Sequence, residues 1–388
     1  MRILIHDFGA YAFPVLLSKA LLSRGYSVGH AYCASLITTP CNVGDDVDGL
    51  TLLPINTSRP LNKYNLIERW RQEREYGHLA ERVVLDFKPD IVFSANTPLN
   101  AQQRIQRICK LEGIPFVFWL QDLIGMATSK ILKTRLPLIA SCIGYYFQQI
   151  EAHQLRTSHA VISITQDFTP YLNRCGVATE RITVIENWGT LDAFHGEPSQ
   201  WAKMHQLPER PILLYAGTLS MKHNPSVLLH LSQQLGDNGQ VVVVSQGKGA
   251  DWLKDSISNQ PDSNLTVLPY QDPDQLPAMY SAADILLVLL TEDAGEFSVP
   301  SKLLTCLCAA KPILAAVPQH NLATRIIEKS GAGLVTDPDN HKEFVTKGLY
   351  LLSNPEHCKS MSTNAVQWAE ERFNIKHIAD QFEAVLRL

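Results

Sequence analysis

The chain has 388 residues, long enough for two domains that each bury a core. Hydrophobic residues make up 45% and charged residues 19%, the balance of a globular protein and too apolar for a disordered one. A formal net charge of -4 gives no global attraction to nucleic acid, so none is expected as a partner and any anion must be held by a local site.

The N-terminus, MRILIHDFGAYAF, is a short apolar run broken by His6 and Asp7. It lacks the apolar core and cleavage site of a signal peptide, which predicts a cytoplasmic protein. RILIH, a helical pattern from Pro14 to Arg24 closed by Gly25, and YSVGHAY read as strand, helix, strand with parallel pairing. The same grammar runs on through DIVFS, a helix from about Pro98 to Leu111 stopped by Gly113, PFVFWL, a long helix near Thr134 to Thr157, AVISI and ITVIEN. Between Asn187 and Pro211 the period lapses into a stretch rich in Gly, Pro and isolated aromatics, which predicts a linker over residues 190–210.

The second half restarts with ILLYAG, a helix from Pro225 to Leu235, VVVVS, NLTVLPY, DILLVLL, a helix after Pro300, and PILAAV. The predicted fold class is therefore α/β: two Rossmann-like, doubly wound parallel-sheet domains, 1–189 and 211–372, facing an interdomain cleft. A last helical segment, 373–388, has no following strand and can pack back on the first domain. No run approaches the ~18 apolar residues of a transmembrane helix. Eight cysteines without any Cys-x-x-Cys read as reduced, mostly buried thiols.

The sharpest chemical signal is GEFSVPSKLLTCLCAAKPILAAV, Gly295 to Val317. Pro300 presets a helix start whose backbone N–H groups suit an anion, and Ser301 and Lys302 add a hydroxyl and an ammonium in the first turn. A Ser-Lys pair on an ordinary solvated helix start fits the same residues. In YAGTLSMKHNPSVLLHL, Gly217 ends a strand and permits close backbone approach, Lys222 sits in the following loop, and Asn224 and Pro225 open a helix. Lys222 and His223 also read as solvated loop residues. Gly247 after VVVVS and Tyr270 after NLTVL are weaker signals of the same kind, because the glycine motif is incomplete and Pro269 and Pro273 alone would explain a turn.

In the first half, Gly9 follows the first strand, and Asp122 follows PFVFWLQ, where its carboxylate could orient or deprotonate an acceptor hydroxyl or simply cap the next helix. Asp7 is a similar case. Glu151 and His153, two apart on a helix, lie on different faces, and His153 reads as structural. Lys130, Lys133 and Arg135 precede an apolar helix with Tyr145, Tyr146 and Phe147. That arrangement suits peripheral contact with an anionic membrane, and a buried core helix accounts for its apolar part equally well.

These elements, in this order, resemble glycosyltransferase family 4, retaining enzymes of the GT-B type, and most closely its bacterial surface-polysaccharide members, whose donor helix carries Pro-Ser-Lys. WLQD, VISITQDFTPYL and RITVIENW extend the resemblance over the first half. The resemblance implies that Gly217 and Lys222 contact donor phosphate, Ser301 and Lys302 the diphosphate, and Tyr270 the nucleoside. With Gly9, Thr218, Gly247, Glu296, Ser298, Val299, Pro300 and Thr305 they form the expected donor site, and Asp122, Lys222 and Lys302 are the expected catalytic groups. Thr218 stands where most members have Arg. Thr305 stands in place of the ribose-binding glutamate, and the other family glutamate falls on Glu296 or Phe297. The implied function is transfer of a sugar from a nucleotide-diphosphate donor to a saccharide or lipid-linked acceptor, without cofactor or metal. A sugar-nucleotide epimerase is the alternative with the same two-domain shape. A periplasmic binding protein of that shape would need the signal peptide that is lacking.

Overall fold

A computed structural model describes residues 1–36, 49–61, 66–135, 140–191, 198–258 and 263–387. The chain divides into two compact units, Met1–Asn187 with Ile375–Leu388, and Trp188–Asn374.

Unit 1 opens with β1 (Arg2–Asp7), α1 (Ala12–Ser23), β2 (Ser27–Cys33), β3 (Thr51–Ile55) and α2 (Leu66–Phe87). It continues through β4 (Ile91–Ala95), α3 (Leu99–Leu111), β5 (Phe116–Leu120), α4 (Ile124–Arg135) and α5 (Ala140–Thr157). β6 (Ala160–Ser163), α6 (Thr169–Arg174) and β7 (Ile182–Val184) complete the sheet, ordered β3-β2-β1-β4-β5-β6-β7 and parallel throughout.

Unit 2 begins with α7 (Pro198–Met204), β8 (Ile212–Ala216), α8 (Ser226–Leu235), β9 (Gln240–Val244), α9 (Lys248–Ile257) and β10 (Leu265–Leu268). Next come α10 (Leu276–Ala282), β11 (Ile285–Leu289), α11 (Glu292–Gly295), α12 (Lys302–Cys308), β12 (Ile313–Ala316), α13 (Leu322–Ser330) and β13 (Gly333–Thr336). α14 (His341–Ser353) and α15 (Pro355–Arg372) end the unit, and α16 (Ile375–Val385) belongs to unit 1. The second sheet is again parallel, ordered β10-β9-β8-β11-β12-β13.

Crossover helices cover both faces of a parallel sheet, so its strands must be apolar at consecutive positions. IVFSA, FVFWL, QVVVV and ILLVL are buried along their whole lengths. Both sheets reverse their winding at the first strand, between β1 and β4 and between β8 and β11, and the loops at the carboxyl ends of those pairs are where open α/β sheets take ligands.

Three expectations need correction. The stretch predicted as a linker contains α7, which packs on α10; Trp201 is buried there and donates from Nε1 to Gln271 at 3.1 Å. A two-turn helix is too short to show a period, so its lone tryptophan read as irregular sequence. The long helix expected near Thr134 to Thr157 is α5, which begins at Ala140, and the separate helix before it, α4 (Ile124–Arg135), was not expected. Their apolar residues do not make α5 a wholly buried helix, since Tyr145 and Tyr146 are 63% and 58% exposed. The side chains of Lys133 and Arg135 lie outside the described residues. Among the described residues no helix is long and apolar enough to cross a membrane.

α16 packs beside α1, where Arg24 reaches Asp380 and Glu383, each at 2.7 Å. Phe382 is fully buried against Trp119 and Phe93, with ring centroids 4.9 and 5.6 Å away. Phe382→Ala is expected to destabilise unit 1 by about 3–5 kcal/mol in urea unfolding, since it leaves a ring-sized cavity under the central strands. A loss below about 1 kcal/mol would mean that α16 is not part of this core.

Candidate functional site

The loops after β8 and β11 meet at the switch point of the second sheet, and their side chains form one cluster. Lys302, at the start of α12, sends its ammonium to the hydroxyl of Tyr215 on β8 and to the carbonyl of Thr218 at 3.0 Å. Nζ also stands 4.1 Å from the centre of the Tyr215 ring. Tyr215 donates its own hydroxyl to the Thr218 carbonyl at 3.0 Å, and the Thr218 hydroxyl pairs with Tyr270 Oη at 2.5 Å. Gly217, Thr218, Tyr270 and Lys302, expected together from the sequence, are thus assembled from two strand ends and one helix.

Gly217 is required by geometry. Its φ is +115°, and a Cβ placed there would lie 2.5 Å from Cε of Lys302. Burial raises the Tyr215 hydroxyl well above its ordinary value, helped by nearby Tyr270, so Tyr215 stays protonated as a donor.

The segment before α12 is pinned from below. Asn321, buried, donates to the carbonyls of Gly295 and Ser298, both at 3.0 Å, while its oxygen caps α13 by accepting from the Ala323 N–H at 3.0 Å. Glu296, the one carboxylate of that pair, is exposed, and Phe297 is buried. Ser298, Val299 and Pro300 are half-buried on the same segment, Ser301 is exposed and Thr305 is half-buried one turn into α12. The helix after Pro300 starts at Lys302, with Ser301 as N-cap, and it spans only seven residues. So short a helix has little dipole of its own, and the charge offered to an anion is chiefly the Lys302 ammonium.

Gly247 and Gly249 serve the chain itself. A Cβ on either would come within 3.0 or 2.9 Å of the Leu219 carbonyl, which accepts the Gly249 N–H at 3.0 Å. The close approach that a glycine turn suggested is therefore made by the neighbouring loop. Lys222 lies in a 3-10 turn, Met221–His223, and its side chain lies outside the described residues. His223 is not a solvated loop residue, because its Nδ1 accepts the Ser220 N–H at 3.0 Å and closes that turn. Asn224 adopts φ 49° before Pro225, which takes the N-cap place of α8 expected for Asn224.

In unit 1 the switch-point loop is organised by Asp7, fully buried. Its carboxylate accepts from the Gly9 N–H at 3.2 Å, the Tyr11 N–H at 2.6 Å and Asn96 at 2.8 Å. Burial raises Asp7 to about 6 against the pull of those donors. Two of these bonds shape the loop that carries Gly9 and the third ties it to Asn96 after β4, which argues against a direct role with an acceptor. Asp122 is half-buried just after β5, with its main-chain carbonyl accepting the Ile124 N–H at 3.0 Å.

Glu151, named in the sequence only beside His153 and given no role of its own, is buried under that same turn. It accepts from the Gly125 N–H at 3.0 Å and from Tyr171 at 2.7 Å. Desolvation, with a smaller contribution from Asp122, raises it to about 7. His153, two residues on, is exposed rather than structural. Tyr215 and Asn321 were likewise missed. The available signals were a single hydroxyl in the aliphatic run ILLYA and an Asn just before the apolar-periodic LATRIIEKS. Among the described residues no group of three His, Cys, Asp or Glu is gathered as a metal site would need.

Over residues 199–368 the chain matches the model of the family described as glycosyl transferases group 1. That match covers most of the second unit, Trp188–Asn374. The chain is similar to an α-D-kanosaminyltransferase of Streptomyces kanamyceticus, 22% identical over 247 residues, covering 61% of this chain and 62% of that protein. It is also similar to a D-inositol 3-phosphate glycosyltransferase of Rhodococcus opacus, 22% identical over 284 residues, covering 69% and 60%. It thus matches about three fifths of the length of these curated relatives. Among solved structures, a sucrose-phosphate synthase from Thermosynechococcus elongatus superposes with a TM-score of 0.75 at 16% identity, covering 100% of this chain and 98% of that one. HepE of Anabaena in complex with UDP-glucose gives 0.73 at 16% identity, covering 100% and 99%. At these identities the likeness speaks for the fold, the paired Rossmann-like units of the GT-B type.

Glu151 generates a pH prediction. An acid raised from 4.5 to about 7 contributes stability that is fully present below pH 4.5 and lost as pH rises through 7. The advantage of the wild type over Glu151→Gln should therefore shrink across that window, by on the order of 3 kcal/mol. Urea unfolding of both proteins from pH 4 to 8 measures it, and a constant difference would mean that Glu151 is already ionised in the folded chain.

Proposed function

We propose that the protein transfers a sugar from a nucleotide-diphosphate donor, bound by the group 1 domain, to a hydroxyl of a saccharide or lipid-linked acceptor. The observation that carries this reading is the Lys302 ammonium, set beside Gly217 at the switch point of the second sheet. Transfer from such a donor leaves a diphosphate carrying the developing negative charge, and a cation already in place stabilises it without reorganisation. Lys222 supplies a second cation from the loop after β8, Ser301 a hydroxyl, and Tyr270 a ring for the nucleoside. Glu296 lies on the loop that meets the donor sugar. Asp122 orients or deprotonates the acceptor hydroxyl. The glycosyltransferase names of the relatives and the UDP-glucose complex of HepE support the donor class, and the resemblance to family 4 supports retention of configuration without metal.

Lys302→Ala and Lys222→Ala should each weaken nucleotide-diphosphate binding and turnover while leaving the fold intact. A charged contact to phosphate is worth ~1.5–3 kcal/mol, about tenfold or more. Calorimetry with UDP, GDP and dTDP checks the first effect, and unchanged affinity in both variants would refute the donor-site assignment. In a transfer assay EDTA should leave activity in place. Complete loss restored by magnesium or manganese would point to a metal-assisted design.

The acceptor reading adds a membrane. Tyr145 and Tyr146 are exposed on α5, Lys130, Lys133 and Arg135 precede it in sequence, and an anionic surface adds about 1 kcal/mol per nearby cation. The protein is therefore proposed to dock reversibly on the inner face of the cytoplasmic membrane, where a lipid-linked glycan is presented. Co-sedimentation with phosphatidylserine liposomes should be salt-sensitive and reduced in the triple Ala variant of these cations. Equal pelleting of both proteins under all conditions would remove the membrane from the reading.

A further inference from the structure

We propose that Tyr215 is a positioning residue for Lys302, holding its ammonium at the spot where the donor diphosphate is bound, so that Tyr215 acts on the donor only through this lysine. The inference rests on the donor-site reading above and adds to it a residue that contacts no donor atom itself.

The geometry is a closed triangle. Lys302 Nζ donates to Tyr215 Oη and to the Thr218 carbonyl at 3.0 Å, and Tyr215 Oη donates to that same carbonyl at 3.0 Å. Two of the three ammonium protons are thereby directed, and the charge also lies 4.1 Å from the Tyr215 ring centre. The carbonyl that receives both donors is itself held, because the Thr218 hydroxyl is tied to Tyr270 at 2.5 Å. Beneath the triangle runs the lysine stem, with its Cε where a Cβ of residue 217 would fall. Gly217 is thus the opening through which Lys302 reaches the strand end.

A lysine carries four rotatable bonds, and an unrestrained one loses that freedom when an anion captures it. Here the restriction is imposed before the donor arrives, by a hydroxyl rooted in a buried strand. Tyr215 is an aromatic with a polar handle in the aliphatic run ILLYA. A ring chosen for packing alone would not need that handle, and burying an unpaired hydroxyl would cost stability.

The test is a double-mutant cycle on the full chain, read by calorimetry with UDP, GDP and dTDP, carrying forward the nucleotide that binds tightest. Tyr215→Phe keeps the ring and removes the oxygen. It should weaken binding about fivefold in the wild-type background and less than about twofold when Lys302→Ala is already present, because the tyrosine then has nothing to position. If Tyr215→Phe leaves affinity unchanged while Lys302→Ala weakens it, the positioning role is wrong and the donor site stands. Equal weakening in both backgrounds would make Tyr215 a packing residue only. If Lys302→Ala has no effect, or no nucleotide binds, the donor-site reading fails first. Lys302→Arg covers the case in which Tyr215→Phe does not fold. The planar guanidinium keeps the charge but cannot occupy the ammonium's place, so affinity should drop toward that of Lys302→Ala. Wild-type affinity in that variant would show that charge alone is enough, and would overturn the proposal.

Discussion

Parallel pairing is the constraint on which this protein is built. Parallel neighbours can be joined only by crossovers, and the crossover helices cover both faces of each sheet. The faces of β4, β5, β9 and β11 are therefore sealed, which leaves the loops at the strand ends as the place where polar chemistry can stand. At the point where the winding reverses, two such loops diverge and leave room. In unit 2 that room lies between the end of β8 and the approach to α12, where Gly217 and Lys302 meet.

The two units handle buried polar groups in opposite ways. Asp7 and Glu151 in unit 1 are held by backbone N–H groups and neighbouring side chains, and their burial favours the neutral acid. Their hydrogen bonds shape loops, and they are poorly placed to exchange protons with a substrate. In unit 2 the half-buried Lys302 is aimed by a tyrosine and a carbonyl at the strand ends, where a charge can act on something outside the fold.

Glycine takes different parts at positions that look alike in sequence. Gly217 makes room for a lysine stem, and Gly247 and Gly249 make room for the Leu219 carbonyl of the neighbouring loop. In each case the group that comes close belongs to the same chain. The glycine pattern thus marks how loops nest at the strand ends, and ligand contact follows from what those nested loops then present.

The parallel pairing of most strands and a helix start after Pro300 were legible in the sequence, because apolar runs such as VVVVS and DILLVLL and the glycines that close helices depend on neighbours a few residues away, whereas β3, α2 and β13 were not read there. The residues that complete the site were not. Tyr215 and Lys302 are 87 positions apart, and Asn321 reaches back 26 residues to Gly295. Glu151 gains its meaning from the turn at Gly125 and from Tyr171. Periodicity and local propensity record which face of an element is buried. Which buried hydroxyl meets which cation depends on strand order and on the nesting of loops, and those are settled only when the sheet closes and distant strand ends become neighbours.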